Sequence, residues 1–589
     1  MTRSRRFHTI FAVSLFLVSF ITISLAEELS QPVYDVVEMI DVKVEMRDGV
    51  RLSTNIFRPD AEGAFPAILQ RSPYGNGGPG NGTGRYYASR GYVVVLQDCR
   101  GRYESEGVFD PLRNEARDGF DAQEWVAAQP WCNGRIGTMG GSYVGFTQWL
   151  PARFDRPNVV AMIPVLTVSD LYEDWAYHGG AFRLNSWSRW NFEMTLPFSY
   201  NTTYTDRVID SINLHLPVCE QDVLLGWRVP GFRDWAVHPE YDAYWRETSV
   251  RGRYDTIDAA VLNIGGWFDI FLGGTIRNYS YMTASNIDPA IRRKQKLIIG
   301  PWLHGISQDG KTGEMDYGAD GGLPYQDRNT MHLQWFDTYL KDMETDIDNE
   351  PPVKLFIMGD NAWRFENEWP LARTEYTPYY FHSDGNANSV SGDGALSPRV
   401  PTGSADDRFV YNPADPVPSP PVADVGFPVL GPVDQQSVET RDDLLVYSTP
   451  PLEKDTEVIG PVEVVLYAAS TAITTDFTAK LCDVFPDGRS IRLCDGVIRA
   501  THRNGNTGIS FIEPGTVYEY HIDLVATGNV FKKGHRIRVE ISSSNFPRFD
   551  RNLNTALNNA LATEMVKAKQ TIYHNERYPS HIVLPVIPR

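Results

Sequence analysis

Cysteine is scarce in this sequence, with five in 589 residues, and none stands at metal-ligand spacing. With no phosphate-binding loop either, the sequence gives no reason to expect a metal or any other cofactor. Positive charge is also in deficit. Lys and Arg number 55 against 74 Asp and Glu, a formal net charge of −19. Such a chain repels phosphate backbones and argues against nucleic acid as a partner, while the acidity itself needs no explanation beyond solubility. After the first 26 residues no apolar run is long enough to cross a bilayer. No internal repeat and no long polar tract appear, so the chain reads as ordinary packed protein, too long for a single core.

The five cysteines fit an oxidising compartment only loosely. Cys482 and Cys494 flank the hairpin signal Pro486-Asp487-Gly488 at nearly equal distances, which makes them the candidate disulfide. Cys99, Cys132 and Cys219 read as packing residues. The leader speaks more clearly. Arg3, Arg5 and Arg6 precede FAVSLFLVSFITISLA, with Ser24 and Ala26 at the small-residue positions of a signal-peptidase site. Residues 1–26 are expected to be a signal peptide, with an uncleaved anchor as the alternative. The processed chain is then secreted or periplasmic, without stable membrane association.

Downstream, VKVEMRDGVRLSTNIFRP predicts a β-hairpin turning at Asp48-Gly49. Short apolar runs follow at Phe65–Leu69, Tyr92–Leu96, Arg135–Met139 and Val159–Leu166. Helical patterning separates several of them, notably over Asp118–Ala128. Buried strands alternating with helices mean a mostly parallel sheet. The alternation stops over residues 169–257, rich in Trp, Tyr, Phe and Arg, which reads as a helical cap inserted in the sheet domain. Strand signals resume at Val261–Gly265 and Lys296–Ile299. Residues 27–168 and 258–350 are thus expected to be two parts of one core. Residues 351–589, with a Pro-rich stretch and then strand-like segments lacking intervening helices until near Leu553, predict an all-β sandwich of jelly-roll type.

Ser142 lies in IGTMGGSYVG, after a strand and before a helical run, the setting of a nucleophile elbow. The strict G-x-S-x-G spacing is not met, because Gly145 stands third after the serine and Val144 second. A serine hydroxyl needs a base oriented by an acid. One later strand runs into GGWFD, placing Asp269 just past its carboxyl end, and the next runs into GPWLH, placing His304 likewise. Ser, Asp, His is the chain order of α/β-hydrolase triads. For the developing oxyanion the backbone N–H of Tyr143 is one candidate donor, and the hydroxyl of Tyr74, in the loop RSPYGNGG, another.

Taken with MRDGVRLSTNIFRP, QDCRGRYESEG, GPVDQQ and SSSNFPRFDRNLNT, these motifs span nearly the whole chain in order. The sequence resembles the cocaine esterase / X-Pro dipeptidyl-peptidase family of α/β-hydrolases, which includes α-amino-acid ester hydrolases and glutaryl cephalosporin acylases. The resemblance implies an α/β-hydrolase core with an inserted helical cap and a C-terminal jelly roll. It implies Ser142 as nucleophile, Asp269 and His304 as its partners, and Tyr74 as an oxyanion donor, and it accounts for Gly145. Two departures bear on the substrate. The α-amino-acid ester hydrolases carry carboxylates just after the triad aspartate, where this chain has Ile270, Phe271 and Leu272. Large X-Pro dipeptidyl-peptidases carry an N-terminal helical domain, whereas here the core begins soon after the leader.

The leading expectation is therefore a serine hydrolase acting on small-molecule esters or activated amides with an uncharged, hydrophobic acyl group. Phe271, Trp187 and Trp190 are the candidate contacts. An exopeptidase of the X-Pro dipeptidyl-peptidase type is the alternative and requires an acidic partner for the substrate amine, for which Glu173 or Asp174 would serve. A non-catalytic glycan-binding protein is the third reading, and a homo-oligomer is compatible with all three.

Overall fold

The computed structural model describes residues 28–154, 158–173, 175–195, 211–226, 228–403, 405–420 and 431–589. The expected leader lies outside the described residues. Two antiparallel strands, β1 (Val36–Glu45) and β2 (Arg51–Pro59), open the chain and turn at Asp48-Gly49. β3 (Phe65–Ser72), α1 (Gly82–Ala88), β4 (Val93–Asp98), α2 (Glu115–Ala127), β5 (Cys132–Gly141), α3 (Tyr143–Ala152) and β6 (Val159–Val165) follow. After the cap come β7 (Ala260–Gly266), α4 (Leu272–Met282), β8 (Gln295–Gly300), α5 (Tyr325–Lys341), β9 (Val353–Ile357) and β10 (Ala362–Glu366).

The ten strands form one sheet in the order β1-β2-β4-β3-β5-β6-β7-β8-β9-β10, parallel from β4 to β9. Every residue of β4, VVVLQD, is buried, as expected of a strand with helices on both faces. Its side chains alternate accordingly. Val93 and Val95 join a core with Phe146 and Trp149 of α3, while Val94 and Leu96 join another with Tyr87 of α1 and Phe336 of α5. β9 and β10 extend this sheet to Glu366, so the core continues past the boundary expected at residue 350.

The insertion between β6 and β7 carries helices at Leu184–Thr195 and Pro230–Val237. It adds a minimal two-stranded ribbon, Tyr177–His178 with Ala181–Phe182, that its aromatic composition does not announce. The C-terminal domain is all-β, an eleven-stranded sheet between Glu375 and Ile587 whose pairings are antiparallel except at Ala395↔Ser448. It docks on the cap through the SSSNFPRFDRNLNT segment: the Phe182 N–H donates to Asp550 (2.8 Å), whose carboxylate also receives Arg499 (2.8 Å).

Two local expectations are corrected. The chain around Leu553 is not helical, because side-chain amides take the backbone's bonds. Asn559 accepts from the Leu553 N–H (2.9 Å) and Asn554 donates to the Val566 carbonyl (2.6 Å). Cys482 and Cys494 are both free thiols. Cys482 stands opposite Arg492, and a bulge then places Cys494 opposite Leu481, on the other face of the sheet.

Candidate active site

β5 runs into α3 through Ser142, which adopts φ 58° and ψ −125°. A serine there is strained by about 1–3 kcal/mol, and its surroundings hold it. The Ser142 N–H donates to the Val165 carbonyl (2.9 Å), and its carbonyl accepts from the Thr167 hydroxyl (2.7 Å). Two glycines make the turn fit. At Gly140, with φ +138°, a Cβ would come within 2.2 Å of the Val144 side chain. At Gly145 it would come within 2.6 Å of Thr167. The close approach falls on the third residue after the serine because Thr167 is the residue that α3 crosses, which gives the displaced glycine a physical reason.

Asp269 and His304 stand just past the carboxyl ends of β7 and β8, adjacent strands in the sheet. His304 Nδ1 lies 2.7 Å from Asp269 Oδ1, and His304 Nε2 lies 2.9 Å from Ser142 Oγ. The Asp269 side chain is fully buried and that of His304 13% exposed, so the base meets the nucleophile at the edge of solvent. This geometry suits a serine relayed to a histidine oriented by a carboxylate.

Tyr143 is the first residue of α3, so its N–H has no intrahelical acceptor and stands beside Ser142. The Tyr74 hydroxyl faces the same point. It accepts from the Trp190 indole (3.1 Å) and has the Ser142 hydroxyl as a hydrogen-bonding neighbour. Burial pushes the phenol up to about 12, with Trp190 and Ser142 offsetting part of that shift. Tyr74 therefore remains a neutral O–H donor across the ordinary pH range.

Aromatic rings wall the site. Phe271 meets the His304 ring edge-on at 5.0 Å, and Trp175 packs on Phe271 at 4.6 Å. Trp190 stacks on Tyr143 at 5.9 Å. Trp187 stacks on Trp175 from behind at 5.1 Å and donates to its carbonyl, so it supports the wall from a second layer. Trp175 escapes sequence reasoning because nothing distinguishes it within an aromatic-rich stretch. Glu173 is placed elsewhere. It pairs with Arg251 at 2.5 Å and lines a polar cavity of about 430 Å³ whose lining includes none of Ser142, Asp269 and His304. Asp174 lies outside the described residues. Cys99, Cys132 and Cys219 are buried and burial raises each thiol. Among the described residues no His, Cys, Asp and Glu group is arranged to hold a metal.

Asp98, at the end of β4, supports the Tyr74 loop by accepting from the Asn76 N–H, while its Oδ1 is buried without a partner. Burial, with the nearby Glu104 charge, pushes its carboxyl up to about 7. A carboxyl raised on folding binds a proton that the unfolded chain has already lost, so it costs stability progressively as pH rises from about 4 to 7. Asp98→Asn is expected to gain on the order of 1–3 kcal/mol at pH 8, and almost nothing near pH 3, where the wild-type carboxyl is neutral in the folded state and mostly neutral in the unfolded chain. Urea unfolding at the two pH values checks this; an equal effect at both would remove the titration as the cause.

Residues 48–306 match the X-Pro dipeptidyl-peptidase (S15 family) model, and residues 345–583 match that of the X-Pro dipeptidyl-peptidase C-terminal non-catalytic domain. The chain is 38% identical over 578 residues to cocaine esterase of Rhodococcus sp. (strain MB1 Bresler), covering 93% of this chain and 98% of that one. Among solved structures, an aminopeptidase from the marine sediment archaeon Thaumarchaeota archaeon superposes with a TM-score of 0.79 at 26% identity, over 96% of this chain and 99% of the other. An α-amino acid ester hydrolase shares the fold with a TM-score of 0.77 at 24% identity, over 97% and 100%.

Proposed function

We propose, from the premise that this chain belongs to the cocaine esterase / X-Pro dipeptidyl-peptidase family of serine hydrolases, that it hydrolyses carboxylic esters of uncharged, hydrophobic acids through an acyl-enzyme. Ser142 attacks the ester carbonyl while His304 takes its proton, and Asp269 holds the imidazole in register and balances its charge. The Tyr74 hydroxyl and the Tyr143 N–H receive the oxyanion. His304 then protonates the departing alcohol, and the same residues deliver water to the acyl-enzyme. The Arg-flanked apolar leader supports export of this enzyme, and the eleven-stranded all-β sheet supports a jelly roll for the C-terminal domain.

The observation that carries the acyl-group assignment is the wall beside His304. Phe271 and Trp175 form it, and the segment after Asp269 continues as Ile270, Phe271 and Leu272, all buried. A cation touches this segment, where Arg183 donates to the Ile270 carbonyl at 2.9 Å. An ammonium brought against this segment would lose hydration with none of Ile270, Phe271 and Leu272 able to replace it.

A phenylacetyl ester is therefore expected to exceed the matching phenylglycine ester in kcat/KM by about tenfold or more near neutral pH, ring and leaving group being constant. Measurement at two salt concentrations separates a site effect from long-range attraction by the acidic surface. A preference for the phenylglycine ester that persists at high salt would overturn the reading in favour of an exopeptidase with a buried acidic partner.

A further inference from the structure

The two oxyanion donors come from different elements, Tyr74 from the loop after β3 and the Tyr143 N–H from the start of α3. A buried ring of polar contacts ties these elements together. The Tyr143 hydroxyl donates to Glu115 Oε1 (2.9 Å) and accepts from the Leu112 N–H (2.9 Å). Glu115 Oε2 receives Arg71 Nη1 (2.7 Å), and Cys99 Sγ lies 3.5 Å from it. Arg71 Nε donates to Gln97 (2.8 Å), and the Arg71 carbonyl accepts from Thr147 of α3 (3.0 Å). The path thus returns to the helix it left. Arg71 also opens the RSPY turn, where the Tyr74 N–H donates to Ser72 Oγ (3.0 Å).

The side chains of Arg71 and Glu115 are each only 2% exposed. Burial works against the Arg71 charge, and Glu115 together with Asp118 and other neighbouring groups more than restores it. A buried ion pair is weak evidence for stability, because an apolar pair of similar shape often does as well. What this pair supplies that an apolar pair could not is directed bonds to two separate elements at once.

We propose that Glu115 is a positioning residue that, through Arg71 and the Tyr143 phenol, fixes the spacing between the Tyr74 hydroxyl and the Tyr143 N–H. This rests on the oxyanion roles assigned above. The side chain of Tyr143 then has a task distinct from that of its backbone: it sets the angle at which α3 presents its first N–H. A misplacement well under 1 Å weakens a bond to the oxyanion far more than one to the ground-state carbonyl.

Tyr143→Phe decides the matter, because it leaves the Arg71–Glu115 pair and the ring stacking whole while cutting the link to Glu115, along with the acceptor of the Leu112 N–H. It is expected to lower kcat about tenfold with KM within about twofold. The inhibition constant of a benzyl trifluoromethyl ketone, whose hemiketal oxyanion occupies the same hole, should rise in proportion to the loss in kcat. Glu115→Gln should act in the same direction, and the double variant should be no worse than the worse single, as for two cuts in one link. A Tyr143→Phe enzyme with lowered Tm but kcat within twofold of wild type would make the ring purely structural and overturn the proposal, as would fully additive losses. Failure of the triad reading shows separately, as residual turnover in Ser142→Ala.

Discussion

Ser142→Ala is expected to lose at least about 10⁴-fold in kcat while keeping the fold. The hydroxyl lies 2.9 Å from His304 Nε2, within reach of the imidazole that takes its proton. Its removal leaves an oriented base with nothing to activate but water. The fold should hardly respond, since the backbone bonds to Val165 and Thr167 that fix the elbow do not involve the side chain. A second substitution makes the expectation sharper. At φ 58° any residue with a Cβ carries the strain, so Ser142→Ala keeps it and Ser142→Gly releases it. Releasing about 1–3 kcal/mol against the roughly 0.5–1 kcal/mol that glycine loses in chain entropy leaves Ser142→Gly the more stable variant. Both should be inactive and refuse a fluorophosphonate label that the wild type accepts. A variant with a tenth of wild-type turnover would sink the nucleophile assignment.

The contrast between what the residues announce and what they conceal has a physical pattern. Strands buried on both faces, such as VVVLQD at Val93–Asp98, declare themselves because every position must be apolar or locally satisfied. Ser142, Asp269 and His304 were legible because each follows a strand end, where a parallel sheet collects its functional groups, and because the elbow must have glycines at its close approaches. Which sheet a strand joins is another matter. Val353–Ile357 and Ala362–Glu366 look like the start of the β domain, yet the first pairs onto β8 and the second onto the first, and only the tertiary arrangement decides this. The cysteine pair failed through register. The hairpin centres on Asp487, and a bulge shifts the far pairings by one, which turns Cys494 to the opposite face. Tyr74 stood in the sequence only as a hydroxyl in a Gly-rich loop until the family resemblance favoured it, because its role depends on a loop shape no periodicity encodes. Glu115 was invisible altogether, since its partners Arg71 and Tyr143 lie on separate elements and meet only when α2 packs against β3 and α3. The glycan-binding reading falls with membership of a family of hydrolases.

Tyr74→Phe is expected to lower kcat by about 10²–10³ with little change in KM. The ring remains to pack against Tyr143, 6.4 Å away and edge-on, so the ester should still be seated; the missing group is a proton aimed at a charge that exists only in the transition state. Two features make the donor effective. Its hydroxyl, pushed up to about 12 by burial, keeps its proton wherever the imidazole is a competent base, so the alkaline limb of activity should not report Tyr74 at all. Its oxygen already accepts the Trp190 indole N–H (3.1 Å), which occupies one lone pair and turns the O–H away from Trp190 before substrate arrives. Preorganisation of this kind is where electrostatic catalysis gets its size, because no dipole has to reorient during the reaction. The substitution leaves the Trp190 N–H without its acceptor, at a cost to stability of about 1–3 kcal/mol, so kcat is to be compared well below the lowered Tm. If kcat is unchanged under those conditions, the phenol is a packing group of the loop and the Tyr143 N–H has a different second donor. If KM rises as kcat falls, Tyr74 binds the ground state and its hydroxyl belongs to substrate recognition. The expected outcome, a loss confined to kcat and matched by weaker binding of the trifluoromethyl ketone, is the one that a donor to the developing oxyanion alone produces.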